Sequence, residues 1–345
     1  HPTHRRTGGL QMLFLPSFTG LVALVIYGIT MAPDLTWAHF GSDGGELITA
    51  SVTSGIPHPP GYPTYVVLGK LFGLLPLGTM AWRFNLLSAV SAAISVAFVT
   101  ASARSTVSGV KHQEIVSAAT GLTLAFAPLF WGQALIAEVY AFNIAILSIF
   151  LWSLLSGRSP RISGLFLGLA ITTHLTSLLM LPLALALTSQ VRWKDLFSGI
   201  VIGLIPFLLL PILAQSASPV VWGDPTTISG WWWLISGRLY HANIRVPETG
   251  VLLSETSYLG SVLLRQLAWA GWLFVVLGIT TRLVEKRVTI SLLVTALLYL
   301  VYGFLYQTDD AIVNFLPVLL LLSPLLAAGL ARIGLWSLLI PLALL

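Results

Sequence analysis

Apolar stretches of about twenty residues recur along this chain, and no other feature limits its fold as strongly. They fall at about 11–32, 82–103, 114–132, 136–156, 161–190, 196–215, 262–283, 288–306 and 311–331. A helix needs about 20 residues to cross a bilayer, and only helices or closed barrels satisfy their backbone inside lipid. The runs are continuous rather than alternating, which predicts an all-α, polytopic membrane bundle. Only 8% of the 345 residues are charged, against about 25% in a soluble domain. The net charge of +5 is spread singly and in pairs at the ends of apolar runs, so it orients helices and carries no nucleic-acid signal. With no cysteine, thiolate and disulfide chemistry are excluded.

Arg5-Arg6 and the run from Met12 resemble a signal peptide, but the run is longer than a signal h-region and no small-residue cleavage site follows. It reads as a retained first helix. The chain starts at His1, which points to a trimmed or tagged start. It stops inside the apolar run 335–345, too short to span, so the natural chain is expected to continue.

The block 161–190 decides the topology. As one helix it puts Arg192 and Lys194 opposite Arg104, Lys111, Arg158 and Arg161, against the positive-inside bias. As two short segments meeting at Thr172, Thr173 and His174, it leaves 12 of the 17 basic residues on the cytoplasmic side. The expectation is ten crossings plus a partial eleventh, with a cytoplasmic N-terminus and one membrane domain over residues 1–345. The long loops 33–81 and 216–261 then lie outside, with an interfacial helix at Tyr65–Leu75. Almost every unusual polar residue falls on that face, and polar groups at membrane depth are costly enough to suggest a site.

Each motif has a structural and a chemical reading. Asp43-Gly-Gly-Glu46 has capping-box spacing; it also offers a carboxylate base with a second carboxylate beside it. The stretch from Pro57 to Pro63, holding His58 and Tyr62, is a stiff loop or a rigid mount for an imidazole beside a phosphate. Glu138, ahead of Tyr140, suits the first turn of a helix. His174 could satisfy carbonyls freed at the helix break. Trp222, Asp224, Arg238 and Tyr240 lie in the second loop, where aromatic residues form an interfacial belt and arginine can clamp a phosphate. Asp309-Asp310 is either a turn or a cation site; without further spaced ligands it is a weak metal signal.

Asp43-Gly-Gly-Glu46, Gly55-Ile-Pro-His58-Pro-Pro-Gly-Tyr62-Pro, Trp82-Arg83-Phe-Asn85, Ala137-Glu138-Val-Tyr140, His174-Leu-Thr and Trp222-Gly-Asp224-Pro225 occur in this order. Together, over about residues 12–331, they resemble the GT-C-like membrane family that includes the eukaryotic O-mannosyltransferase acting on IPT/TIG domains of plexins. Gly44 stands where that family usually carries Ser. The resemblance implies a GT-C fold, a catalytic first-loop acid matching Asp43 with Glu46 its neighbour, and a polyprenyl-phosphate sugar as donor.

The expected function is transfer of mannose or another hexose to a hydroxyl, on protein Ser/Thr or a lipid, at the extracytoplasmic face. Asp43 and Glu46 are the expected catalytic pair. Donor and substrate binding is expected from His58, Tyr62, Arg83, Glu138, Tyr140, His174, Trp222, Asp224, Arg238 and Tyr240. Neither metal nor other cofactor is expected, membrane lipids surround the chain, and oligomeric state stays open. A transporter or flippase of lipid-linked sugars is the rival; it would want mid-membrane acids and symmetry-related broken helices. A scaffold would leave the one-sided polarity unexplained.

Overall fold

The structure, a computed structural model, describes residues 9–345. Arg5 and Arg6, assigned above to the cytoplasmic side, lie outside the described residues. Seventeen α-helices follow one another: α1 Gly9–Thr30, α2 Gly44–Thr53, α3 Pro63–Gly73, α4 Met80–Thr106, α5 Gln113–Phe126, α6 Pro128–Ala134, α7 Val139–Leu155, α8 Pro160–Ile171, α9 Leu181–Leu187, α10 Trp193–Gly203, α11 Leu210–Leu213, α12 Ile228–Ile235, α13 Leu252–Arg265, α14 Ala270–Thr280, α15 Lys286–Leu305, α16 Leu316–Leu330 and α17 Leu339–Leu342. The described residues contain no named strand; two isolated bridges, Ile56 with Val221 and Ile244 with Tyr306, stitch loops together.

By length and composition, four helical segments among the described residues can cross a membrane singly: Met80–Thr106, Gln190–Leu213, Lys286–Leu305 and Ala311–Leu330. Two bent pairs raise this to six, beside shorter apolar helices at Val139–Leu155, Pro160–Ile171 and Leu175–Leu187 and the apolar Phe14–Thr30 portion of α1. The expected straight span at 114–132 is instead bent by 69° between α5 and α6. Pro128 removes an N–H and holds Ala127 out of helical geometry. The expected span at 262–283 starts ten residues earlier, at Leu252, and is bent by 81° where Ala268 and Trp269 both adopt positive φ. Tyr65–Leu75 is a short helix as expected, α3, starting at Pro63.

The block 161–190 is broken where the charges required. Helix α8 ends at Ile171, and Thr172–His174 is non-helical. Glycines reveal the direction of the next segments. A Cβ on Gly164 would meet Leu196 O at 2.0 Å, and one on Gly168 would meet Ile200 O at 2.3 Å. From α10, Gly199 faces Arg161 O and Gly203 faces Leu165 O. Position numbers rise together, so α8 and α10 are parallel, packed backbone to backbone through two G-x-x-x-G pairs. The chain must therefore reverse at Thr172–His174 and return through α9 before α10 begins. Arg161 and Arg192 both approach Asp195 at 3.8 Å, which closes that lower end.

Helix α4 runs through the middle. Near its start, Asn85 donates to the carbonyls of Ala32 and Asp34, and Ser88 to that of Glu138. Near its end, Arg104 pairs with Glu114 at 2.8 Å. Helix α16 is buried along its whole length and packs tightly on α14, where Gly278 faces Leu325 O and Gly329 faces Phe274 O. The bundle thus has one end rich in basic residues and another, at the starts of α2, α4 and α7, where the loops gather.

Candidate active site

At the loop-rich end lies a cavity of about 450 Å³. Asp43, His58, Tyr62, Tyr140, His174 and Tyr240, all expected at the site, line it. Asp43 precedes α2 in the N-cap position, yet its side chain caps nothing. Its backbone N–H donates to Glu138 Oε1 at 3.0 Å, which locks the loop against the start of α7. The carboxylate faces Ser42 Oγ at 3.3 Å and His58 Nε2 at 3.6 Å and remains 34% exposed, so a substrate can reach it.

Glu46 departs from the capping-box reading. One carboxylate oxygen takes the His58 backbone N–H at 3.2 Å, the other bonds His58 Nδ1 at 2.5 Å, and the Trp222 indole donates to the first. The proline-rich loop brings His58 back over α2, twelve residues on, and its hydrogen bonds draw Glu46 away from the helix's own N–H groups. Glu46 therefore orients the imidazole, leaving Nε2 pointed toward Asp43 and toward Tyr62 Oη, 2.8 Å away. Tyr62 reaches this place with a left-handed backbone, φ 41°, directly after Gly61 at φ 84°. For a non-glycine residue that conformation costs about 1–2 kcal/mol, held here by burial of the ring.

The bridge of Ile56 with Val221 delivers Trp222. Ile56 N–H donates to Val220 O at 2.8 Å and Trp222 N–H to Ile56 O at 3.0 Å. Trp222 thus supports Glu46 from behind rather than stacking on a ligand in the cavity. Glu138 also stands behind the lining, 1% exposed, and its Oε2 has no hydrogen-bond partner among the described residues.

Three expected binding residues are placed elsewhere. Arg83 spends its guanidinium on the carbonyls of Leu77, Gly73 and Gly78, closing the α3–α4 connection. Asp224 accepts from Thr226 N–H and Thr226 Oγ1 within its own turn. Arg238 is exposed and opens the turn Arg238–Asn243; its neighbours Gly237 and Tyr240 line the cavity, but it does not.

The structure adds Asp310, Tyr302, Tyr306 and His241 to the lining. Tyr140 Oη donates to Asp310 Oδ2 at 2.8 Å, so a second carboxylate faces the cavity from the start of the last long helix. Tyr302 and Tyr306, stacked with centroids 5.4 Å apart, bring α15 into the wall. Their i, i+4 spacing just before Asp309-Asp310 was the available sequence signal.

Electrostatics separates the acids. Burial pushes Asp43 above its ordinary range; His58 pulls it down, while Asp310 and Glu46 push it up. Burial also works on Glu46, but the hydrogen bond and charge of His58, with the Trp222 indole, bring it below the usual value. Burial and then Asp43 hold Glu138 well above it. Desolvation lowers His174 to about 4; its Nδ1 lies 2.7 Å from Thr176 Oγ1. The arrangement offers one accessible carboxylate of raised basicity, an oriented imidazole beside it, and an aromatic, partly polar chamber. Ligand atoms of Asp43, Glu46 and His58 lie within 4.8 Å of one another, a spacing that a cation could share.

The family model described as the protein O-mannosyl-transferase TMEM260 N-terminal domain matches residues 43–196, from Asp43 onward. Protein O-mannosyl-transferase TMEM260 of Mus musculus is 28% identical over 214 residues, 55% of this chain and 30% of that protein. Its namesake in Dictyostelium discoideum is 25% identical over 241 residues, 60% of this chain and 28% of that protein. The matched region is less than a third of either relative's length. Among solved structures, ArnT from Cupriavidus metallidurans bound to undecaprenyl phosphate superposes with a TM-score of 0.63 at 18% identity, covering 91% of this chain and 60% of that one. Its apo state gives 0.61, again at 18% identity, over 91% and 59%. These matches agree with the resemblance read from the motifs that lie within residues 43–196, and the fold is the polytopic membrane fold shared with ArnT.

Proposed function

We propose that this chain is a membrane glycosyltransferase that moves a sugar, mannose or another hexose, from a polyprenyl-phosphate donor to an acceptor hydroxyl. The observation that carries this reading is Asp43: an accessible carboxylate of raised basicity, beside an oriented His58, at the wall of a cavity in a fold shared with an undecaprenyl-phosphate-binding protein. The acceptor oxygen attacks the anomeric carbon as its proton passes to Asp43. The bond from that carbon to the phosphate oxygen breaks, and polyprenyl phosphate leaves with the electron pair. An aliphatic hydroxyl is a poor nucleophile without such a base, and positioned proton transfer contributes about 10²–10⁴-fold.

Phosphate departs on the side of the turn Arg238–Asn243. Tyr240 and His241 line the cavity there, and Arg238 opens the same turn. The acceptor is a protein Ser or Thr, as the relatives' names suggest, and the cavity faces the extracytoplasmic side with the N-terminus in the cytoplasm. The basic residues at the opposite end of the bundle support that orientation. The reading includes no resident metal ion; dialysis against EDTA is expected to leave turnover unchanged. Loss of activity restored by a divalent cation would assign the Asp43, Glu46 and His58 trio to an ion instead.

The test is incubation of purified protein with radiolabelled polyprenyl-phosphate sugars and a panel of peptide and lipid acceptors. Wild-type protein should transfer label from one donor, and Asp43→Asn should lose at least about 10²-fold while still binding donor. Transfer by neither protein, or full turnover by Asp43→Asn, would overturn the reading.

A further inference from the structure

We infer that a second cavity, at the elbow between α13 and α14, binds the headgroup of a membrane phospholipid bearing both a phosphate and free hydroxyls. This cavity, about 230 Å³, shares none of its lining with the active site. It lies just across two thin walls. His39 and Phe40 face it while Ser42 and Asp43 face the active site, and Ile312 faces it while Asp310 and Asn314 face the other way. It therefore lies at the same loop-rich end of the bundle as the active site.

Its chemistry is bipolar. Arg265, last residue of α13, is exposed at the cavity and makes none of the ion pairs found among the described residues. Opposite in character is Gln133, 0% exposed: its Nε2 donates to His39 O at 2.6 Å, and its Oε1 has no partner. Such a buried, bare acceptor costs about 1–3 kcal/mol unless a ligand donates to it. Gln266, by contrast, is satisfied, accepting from Leu129 N–H at 2.8 Å and donating to Val262 O at 2.8 Å, so it forms fixed wall. A ligand must bring an anion for Arg265 and a hydroxyl donor for Gln133.

The surroundings select a lipid as its source. On the elbow, Tyr258, Leu264 and Trp269 are 54%, 39% and 59% exposed, an apolar flank suited to acyl chains. Arginine is the natural partner of a phosphate in such an interfacial pocket. Nothing in this inference depends on the transferase reading.

The test uses detergent-purified full chain and native mass spectrometry with three lipids of identical acyl chains: phosphatidylglycerol, phosphatidic acid and phosphatidylcholine. Phosphatidylglycerol should be retained best. Arg265→Gln should cut its retention about ten-fold, the effect of losing one charge-assisted hydrogen bond. Gln133→Leu should abolish the preference for phosphatidylglycerol over phosphatidic acid, which lacks headgroup hydroxyls. Should Gln133→Leu fail to fold, the exposed Arg265 variant still decides. Equal retention of phosphatidylglycerol and phosphatidylcholine, or unchanged retention in Arg265→Gln, would overturn the site. Displacement by soluble glycerol phosphate at equal concentration would overturn the lipid as its source.

Discussion

Glu138 and Asp43 form a pair in which a buried acid holds an accessible one in place. Glu138 accepts the Asp43 N–H from a buried position, and burial followed by Asp43's charge raises its proton affinity well above the ordinary value. Gln has the same shape and the same acceptor oxygen. Glu138→Gln is thus expected to fold normally and keep most transfer activity, whereas Glu138→Ala strands the Asp43 N–H and costs about 1–3 kcal/mol. Thermal midpoints and turnover of the two variants check this; an inactive but stable Gln variant would give Glu138 a role in chemistry. Asp310 acts on Asp43 through charge. Asp43 works as a base only when ionised, and burial, Asp310 and Glu46 raise its proton affinity while His58 lowers it. Activity should fall as pH drops through that raised value, above the ordinary carboxylate range. Asp310→Asn removes one negative neighbour, so the acidic limb of the kcat/KM profile should move to lower pH. A limb that stays in place, or rises, would remove Asp310 from Asp43's electrostatics.

Among elements, the parallel pair α8 and α10 sets the position of the Thr172–His174 reversal and hence of His174 in the cavity wall. Their contact has no room for side chains at Gly164, Gly168, Gly199 and Gly203. Gly168→Leu must push the helices apart, a cost of about 1–3 kcal/mol by the usual measure of overpacking, and should lower both thermal midpoint and turnover. Gly28→Ala in α1 is the control, since a Cβ there meets nothing within 4 Å; it should be neutral or slightly stabilising. Equal behaviour of the two variants would mean that the glycine seam is not what holds the reversal. The apolar runs revealed these helices and the charges revealed the break. The seam itself was visible as two G-x-x-x-G spacings, yet nothing in one sequence says which glycines face each other.

At the scale of the molecule, the two ends of the bundle carry opposite characters. Cysteines placed at Arg158 and Lys194 should label from the same side of the membrane, and a cysteine at Leu35, in the loop leading to Asp43, from the other. Labelling of Arg158 and Lys194 from opposite sides would contradict the reversal. Residues whose partners are near in sequence, or whose type is rare in a greasy chain, were legible beforehand: Asp43, His58, Tyr62 and His174 all line the cavity. Arg83, Asp224 and Arg238 are placed outside the lining. Residue type made Arg83 a phosphate clamp, but three carbonyls within ten residues claim it first. Partners such as Glu138 for Asp43, or Trp222 for Glu46, lie 95 and 176 residues apart and emerge only from tertiary packing. That last contact hangs on a slender joint. The strip from Val220 to Trp222 meets Ile56 through two backbone hydrogen bonds, each contributing about 0.5–1.5 kcal/mol net. Separation there costs little beside global unfolding, so the amides of Ile56 and Trp222 should exchange with deuterium well before that of Leu47 inside α2. Each such opening withdraws the indole from Glu46 and loosens the imidazole it steadies. The reactive arrangement is then intermittent, complete only while the two long loops are fastened, and an occupant that fastens them would switch its own chemistry on.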